Sequence, residues 1–181
     1  MHGDRQVLVP KAHTLIAGIG NIFLGDDAFG CEVVKELGRR VWPDDVRIVD
    51  FGIRGFDLAY ALLESYEVVI LIDATPRGEA PGTLYTIEPD LAELESIPSG
   101  GSVIETHGMN PMKVLSMVKS MGGTFRKILL VGCEPESFGP EEGQMGLSPV
   151  VEAAVPKAVE IIERLVESNQ QPAIEFGRAA N

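Results

Sequence analysis

The sequence predicts an α/β fold: a three-layer sandwich on a mostly parallel, twisted sheet of about five strands, with helices on both faces. Three observations carry this expectation. Apolar runs of strand length recur at 13–18, 46–50, 67–73 and 127–132. Stretches with apolar residues at helical spacing stand between them, and strand–helix alternation implies parallel pairing. Glycine-rich turns join the first strands to the helices that follow, most plainly Gly18-Ile-Gly-Asn-Ile-Phe-Leu-Gly-Asp-Asp-Ala-Phe-Gly30.

Taken in order, residues 1–12 read as a flexible arm and 13–18 as the first strand. A helix is expected over 27–41, with Val33, Val34 and Leu37 on one stripe. The breaker Trp42-Pro43-Asp44-Asp45 then leads into a strand at 46–50. The turn Phe51-Gly-Ile-Arg-Gly55 opens a helix over 56–64. Glu67-Val-Val-Ile-Leu-Ile-Asp73 is an apolar run closed by a carboxylate, the pattern of a central strand buried on both faces. Residues 83–87 alternate as an edge strand would, and 88–104 suggest a short helix and a loop. Asn110-Pro111 form an N-cap and N1 pair for a helix over 109–121. After the strand at 127–132, Leu147-Ser-Pro149 cap a last helix running to about Val166, and 168–181 read as a disordered tail. Residues 13–167 are expected to form a single domain.

The chain has 181 residues, a formal net charge of −12 and two cysteines, Cys31 and Cys133, in no CxxC spacing. The acidic balance argues against nucleic acid and against anionic membrane, both of which need cationic surface. No apolar run reaches the about 18 residues of a membrane span, and the first dozen lack the apolar core of a signal peptide. Few cysteines suit a reducing compartment, so a cytoplasmic protein is expected, with both thiols as small apolar fillers. The apolar helix faces are accounted for as core, so a monomer is expected.

Parallel strands deliver their carboxyl ends to one edge, where ligands bind in such sheets. Here that edge receives Asp26 and Asp27, Asp50 and Asp73, and the loop opening the 109–121 helix brings His107. Carboxylates with one imidazole form a hard-to-borderline donor set for zinc, nickel, manganese or iron. Each residue also has a plainer role open to it. Asp26 and Asp27 stand where acids favour a helix N-terminus, Asp50 can cap a turn, and His107 can be an ordinary loop residue. Gly18-x-Gly20 resembles the start of a dinucleotide fingerprint, but Phe23 occupies the third glycine position and paired aspartates would repel a pyrophosphate. There is no G-x-S-x-G elbow, no HExxH and no Walker lysine.

Together these segments resemble the hydrogenase maturation endopeptidases over about residues 13–166. The opening glycine segment with Asp27, Val68-Val-Ile-Leu-Ile-Asp-Ala74, Thr106-His107, Gly132-Cys-Glu-Pro-Glu-Ser137 and Gly146-Leu-Ser-Pro149 are similar to that family's motifs in order and spacing. The resemblance implies an endopeptidase that removes the C-terminal extension of the nickel–iron hydrogenase large-subunit precursor after nickel insertion. It implies that nickel carried by the substrate is the recognition element. It makes Asp27, Asp73 and His107 the metal ligands and catalytic residues, with zinc or another divalent ion an option in the isolated protein. Asp27 is Glu in some members, and Gly52-Ile-Arg-Gly55 stands where some carry Gly-Thr-x-Gly. With no Ser or Cys nucleophile in a suitable setting, attack by water is the simplest chemistry. Asp50 or Asp26 is available to orient that water. The alternative is a nickel-sensing assembly factor that docks on the precursor without cutting it.

Overall fold

The computed structural model describes residues 13–64, 66–91, 104–105 and 108–170. Five strands form the main sheet: β1 (Thr14–Ile19), β2 (Val46–Gly52), β3 (Val68–Ala74), β4 (Leu84–Ile87) and, later in the chain, β7 (Lys127–Cys133). Their spatial order is β2-β1-β3-β7-β4. All pairs are parallel except β4, which runs antiparallel along β7 with Leu84 opposite Cys133. A separate two-stranded ladder pairs β5 (Ile104–Glu105) with β6 (Gly108–Met109). The helices are α1 (Phe29–Leu37), α2 (Gly55–Leu62), α3 (Pro111–Ser120), α4 (Pro149–Glu152) and α5 (Val155–Gln170).

Strand periodicity explains the layering. Alternate residues point to opposite faces. Ile16, Ile70 and Ile72 meet Phe29, Val33 and Leu37 of α1 with Val159 and Ile162 of α5. Leu15, Ala17, Val69 and Leu71 meet Leu58 and Leu62 of α2 with Val114, Leu115 and Val118 of α3. β1 and β3 are buried along their whole length, as the near-continuous apolar run of the latter predicts. Each such Leu, Ile or Phe contributes roughly 1.5–3 kcal/mol relative to exposure.

Several boundaries differ from expectation for identifiable reasons. The first helix does not begin at Asp27. Residues Gly25–Ala28 form a tight 3-10 turn, and α1 starts after it. It stops at Leu37 rather than 41, where the Trp42 indole N–H donates to the Leu37 carbonyl at 2.8 Å. The last helix is interrupted at Ala153 and Ala154. Pro156 is the reason: it lacks an N–H, and its ring would clash with the carbonyl four residues back. Its second piece reaches Gln170, so residues 168–170 are helical rather than part of a tail. α3 follows expectation, with Asn110 Oδ1 accepting from the Met112 and Lys113 N–H groups at 3.0 and 3.3 Å. The helix expected within 88–104, the arm at 1–12 and residues 171–181 fall mostly or wholly outside the described residues.

Candidate active site

The turn after β1 is shaped by a close backbone approach. Gly20 has φ +138°, and a Cβ there would lie 1.8 Å from the Asp27 carbonyl oxygen. The missing side chain therefore lets the chain fold back on itself, rather than cradling a phosphate. Within that turn, the Asn21 N–H donates to Asp27 Oδ2 at 2.7 Å. Asp27 is thus aimed and held at the carboxyl edge of the sheet, and only 5% of it is exposed.

Asp73 stands second from the end of β3, opposite Gly132 of β7. Strand alternation puts it on the face of Leu71, the side covered by α2 and α3. It is buried, and its carboxyl is held well above the usual carboxylate range. Burial is the larger cause and the neighbouring Asp27 charge the second, with the Ala74 backbone partly opposing them. The structure therefore brings Asp27 and Asp73 within electrostatic reach. A buried pair of this kind takes up a proton or a cation more readily than it stays doubly charged. His107 lies outside the described residues, between β5 and β6. Among the described residues no group of three His, Cys, Asp or Glu side chains could hold a metal ion.

Asp26 does something else. It is fully buried, and its carboxylate accepts hydrogen bonds from the Glu136 and Ser137 N–H groups and from both the N–H and the hydroxyl of Ser148. Its oxygens are committed to these donors, so the expectation that it orients water is corrected. Ser148 opens α4, yet its hydroxyl makes no cap hydrogen bond and turns to Asp26 instead.

Glu134 was not singled out by the sequence, although it follows a buried strand end just as Asp73 closes one. It accepts from Tyr85 Oη at 2.6 Å and from the Arg77 and Gly78 N–H groups at 2.8 and 3.1 Å. These bonds fasten the loop that leaves β3 just after Asp73. The Tyr85 hydrogen bond leads in holding the Glu134 carboxyl below its ordinary value, while desolvation and the carboxylate push the Tyr85 phenol up to about 12. Ultraviolet titration, with Tyr85→Phe to identify the signal, is expected to find this late ionisation. In Glu134→Gln the phenol is expected to titrate earlier.

A cleft of about 310 Å³ opens between the turns after β1 and β2. Ile22, Phe23 and Ile53 line it as exposed apolar side chains, with Cys31, Asp50 and Arg54 among the other lining residues. Asp50 is exposed and approaches the Cys31 thiol. Arg54 is turned toward the main chain, donating to the Asp50 and Phe51 carbonyls. Both cysteines are buried and free. Burial first, then nearby carboxylates, raise both thiols, Cys133 to about 12. Neither is set up as a nucleophile, in agreement with their reading as fillers. His13 directly precedes β1, at the edge away from this site, and is half-buried. No described helix is long and apolar enough to cross a membrane.

Residues 31–165 match the hydrogenase maturation protease family model. The hydrogenase 2 maturation protease of Escherichia coli is 33% identical over 157 residues, spanning 85% of this chain and 91% of that protein. The solved hydrogenase maturating endopeptidase HybD from E. coli superposes with a TM-score of 0.70 at 30% identity, over 87% of this chain and 94% of that one. A hydrogenase 2 maturation peptidase from a Thaumarchaeota archaeon superposes with a TM-score of 0.65 at 32% identity, over 86% and 98%.

Proposed function

This chain belongs to the hydrogenase maturation protease family, and from that premise we propose that it is the endopeptidase that trims the C-terminal extension from a nickel–iron hydrogenase large-subunit precursor once nickel is in place. The nickel is part of the substrate. Asp27, Asp73 and His107 are the residues that engage it, and that engagement sets one peptide bond in the neighbouring cleft.

The observation that carries this reading is the buried Asp27–Asp73 pair at the carboxyl edge of the sheet. Two carboxylates that raise each other's cost of ionisation form an oxygen donor set that suits a divalent cation, which would neutralise both. The donor set would accept zinc or another divalent ion in the isolated protein for the same reason. Within the chain, Asn21 fixes the Asp27 carboxylate, and burial of Asp73 keeps bulk water from competing for the site. Asp50, exposed on the cleft, is the carboxylate left to orient an attacking water now that Asp26 is committed elsewhere. The Ile22, Phe23 and Ile53 side chains offer apolar surface to an extended segment of the precursor.

Incubating the purified protein with nickel-loaded and nickel-free precursor tests this. Mass spectrometry is expected to show loss of a C-terminal peptide only from the loaded form. A stable complex with no loss of mass would replace the proposal with docking without cleavage. Cleavage that does not depend on nickel would remove its recognition role.

A further inference from the structure

The neighbouring aspartates of the tight turn divide two tasks. Asp27 is turned to the site, and the Asn21 N–H is among the groups that hold it. Asp26 looks inward and gathers chain that lies far away in sequence. The Glu136 and Ser137 N–H groups reach Asp26 Oδ2 at 2.8 and 3.1 Å, the Ser148 hydroxyl reaches the same oxygen at 2.9 Å, and the Ser148 N–H reaches Oδ1 at 2.6 Å. The backbone repeats the connection. Asp26 N–H donates to the Ser137 carbonyl at 3.0 Å, Gly25 N–H to the Gln144 carbonyl at 2.7 Å, and Gln144 N–H to the Phe23 carbonyl at 2.8 Å. One carboxylate therefore clamps both ends of the 136–148 segment against the turn that carries Asp27.

We propose that Asp26 is a positioning residue for the cleavage reaction: by tying Glu136, Ser137 and Ser148 to the turn, it fixes the direction of the Asp27 carboxylate. This rests on the proposed site, in which Asp27 touches the reacting centre. A buried carboxylate with four donors is stable only while all of them stay in place, so the turn and the segment hold each other in one arrangement. Rotating the turn would swing Asp27, and small misplacements of a reacting group reduce turnover steeply. Asp73, His107 and the apolar cleft of Ile22, Phe23 and Ile53 still hold the precursor when Asp27 swings, so most of the binding does not depend on that direction. The signature of the role is therefore a fall in kcat with little change in KM.

The test compares full-length wild type, Asp26→Asn and Ser148→Ala on nickel-loaded precursor, with amide hydrogen exchange on each protein. In Asp26→Asn the amide can be oriented to keep the three bonds to one oxygen, but it then presents its NH2 to the Ser148 N–H. We expect kcat to fall about 10- to 100-fold, the range seen when a group orienting a first-line residue is lost, with KM within about twofold. Exchange should quicken at Glu136, Ser137 and Ser148 and remain unchanged in β1 and β3. Ser148→Ala, which removes only the hydroxyl donor, should shift kcat and exchange in the same direction by less, and it decides the matter if Asp26→Asn does not fold. Wild-type kcat in a folded variant, a loss confined to KM, or exchange that quickens uniformly across the sheet would each overturn the proposal. If wild type itself leaves the precursor uncut, the assigned activity fails. The clamp is then decided by the exchange pattern alone, with uniform quickening again against it.

Discussion

In the Asp73→Asn variant, precursor cleavage is expected to fall by at least about 10²-fold, the scale on which a group acting at the reacting atoms contributes. The metal-free protein is at the same time expected to resist heat better than wild type at mildly alkaline pH. Burial and the Asp27 charge raise the Asp73 carboxyl in the folded chain well above 3.8, the ordinary value of an aspartate. The unfolded chain releases that proton freely once pH exceeds 3.8, whereas the folded chain retains it until pH approaches the raised value. Stability of the wild type therefore declines across that window as pH rises. Asparagine has no proton to lose. The two proteins should melt alike in acid and diverge as pH rises, with the variant the more stable, when unfolding is followed in the presence of a chelator. Unchanged cleavage would remove Asp73 from the site. A variant that melts earlier at alkaline pH would show that the carboxylate is compensated by groups not assigned to it.

Gly30→Ala is expected to be strongly destabilising, through one methyl group that has nowhere to go. Gly30 lies in the first turn of α1, and a Cβ there would sit 2.2 Å from the Ile19 carbonyl oxygen, 2.3 Å from the Ile72 carbonyl oxygen and 2.6 Å from the Ile19 nitrogen. These are backbone atoms of β1 and β3 with no rotamer to retreat into. The helix must lift off both strands, at a cost of about 3 kcal/mol or more, the upper end for overpacking. Gly38→Ala is the control. It ends the same helix at φ −64°, with nothing closer than 3.5 Å to its added carbon. It should be neutral or slightly stabilising, since alanine restricts the unfolded chain. Urea denaturation should separate the two variants clearly. Equal midpoints would mean that α1 does not need its close seat on the sheet.

The sheet was legible because burial on both faces leaves a simple mark. The run Val68–Ile72 is apolar without interruption, and Asp73 after it announces a strand end exposed to chemistry. Asn110-Pro111 announced α3 because capping and proline geometry are local effects. The division of labour between Asp26 and Asp27 was not legible. The two residues are identical and adjacent, and what separates them is contact with Glu136, Ser137 and Ser148, more than a hundred positions downstream. Pro156 should have signalled the break between α4 and α5, since a missing N–H is visible in any sequence. Glu134 was readable on the reasoning applied to Asp73, as a charged residue directly after a buried strand, and its partner Tyr85 was not. The candidate pair Asp27 and Asp73 was named from sequence, and the structure puts them in reach of each other. His107 stands outside the described residues.

The clamp at Asp26 has an evolutionary reading. Three of its four donors are main-chain N–H groups, which every residue except proline supplies. Between those endpoints Phe138 and Leu147 pack on the core and Gly139, Gly143 and Gly146 hold positive φ, but the exposed side chains of Glu141, Glu142, Gln144 and Met145 can change while the anchors stay. Descendants of this protein could vary those exposed positions without relearning how to aim the carboxylate beside them.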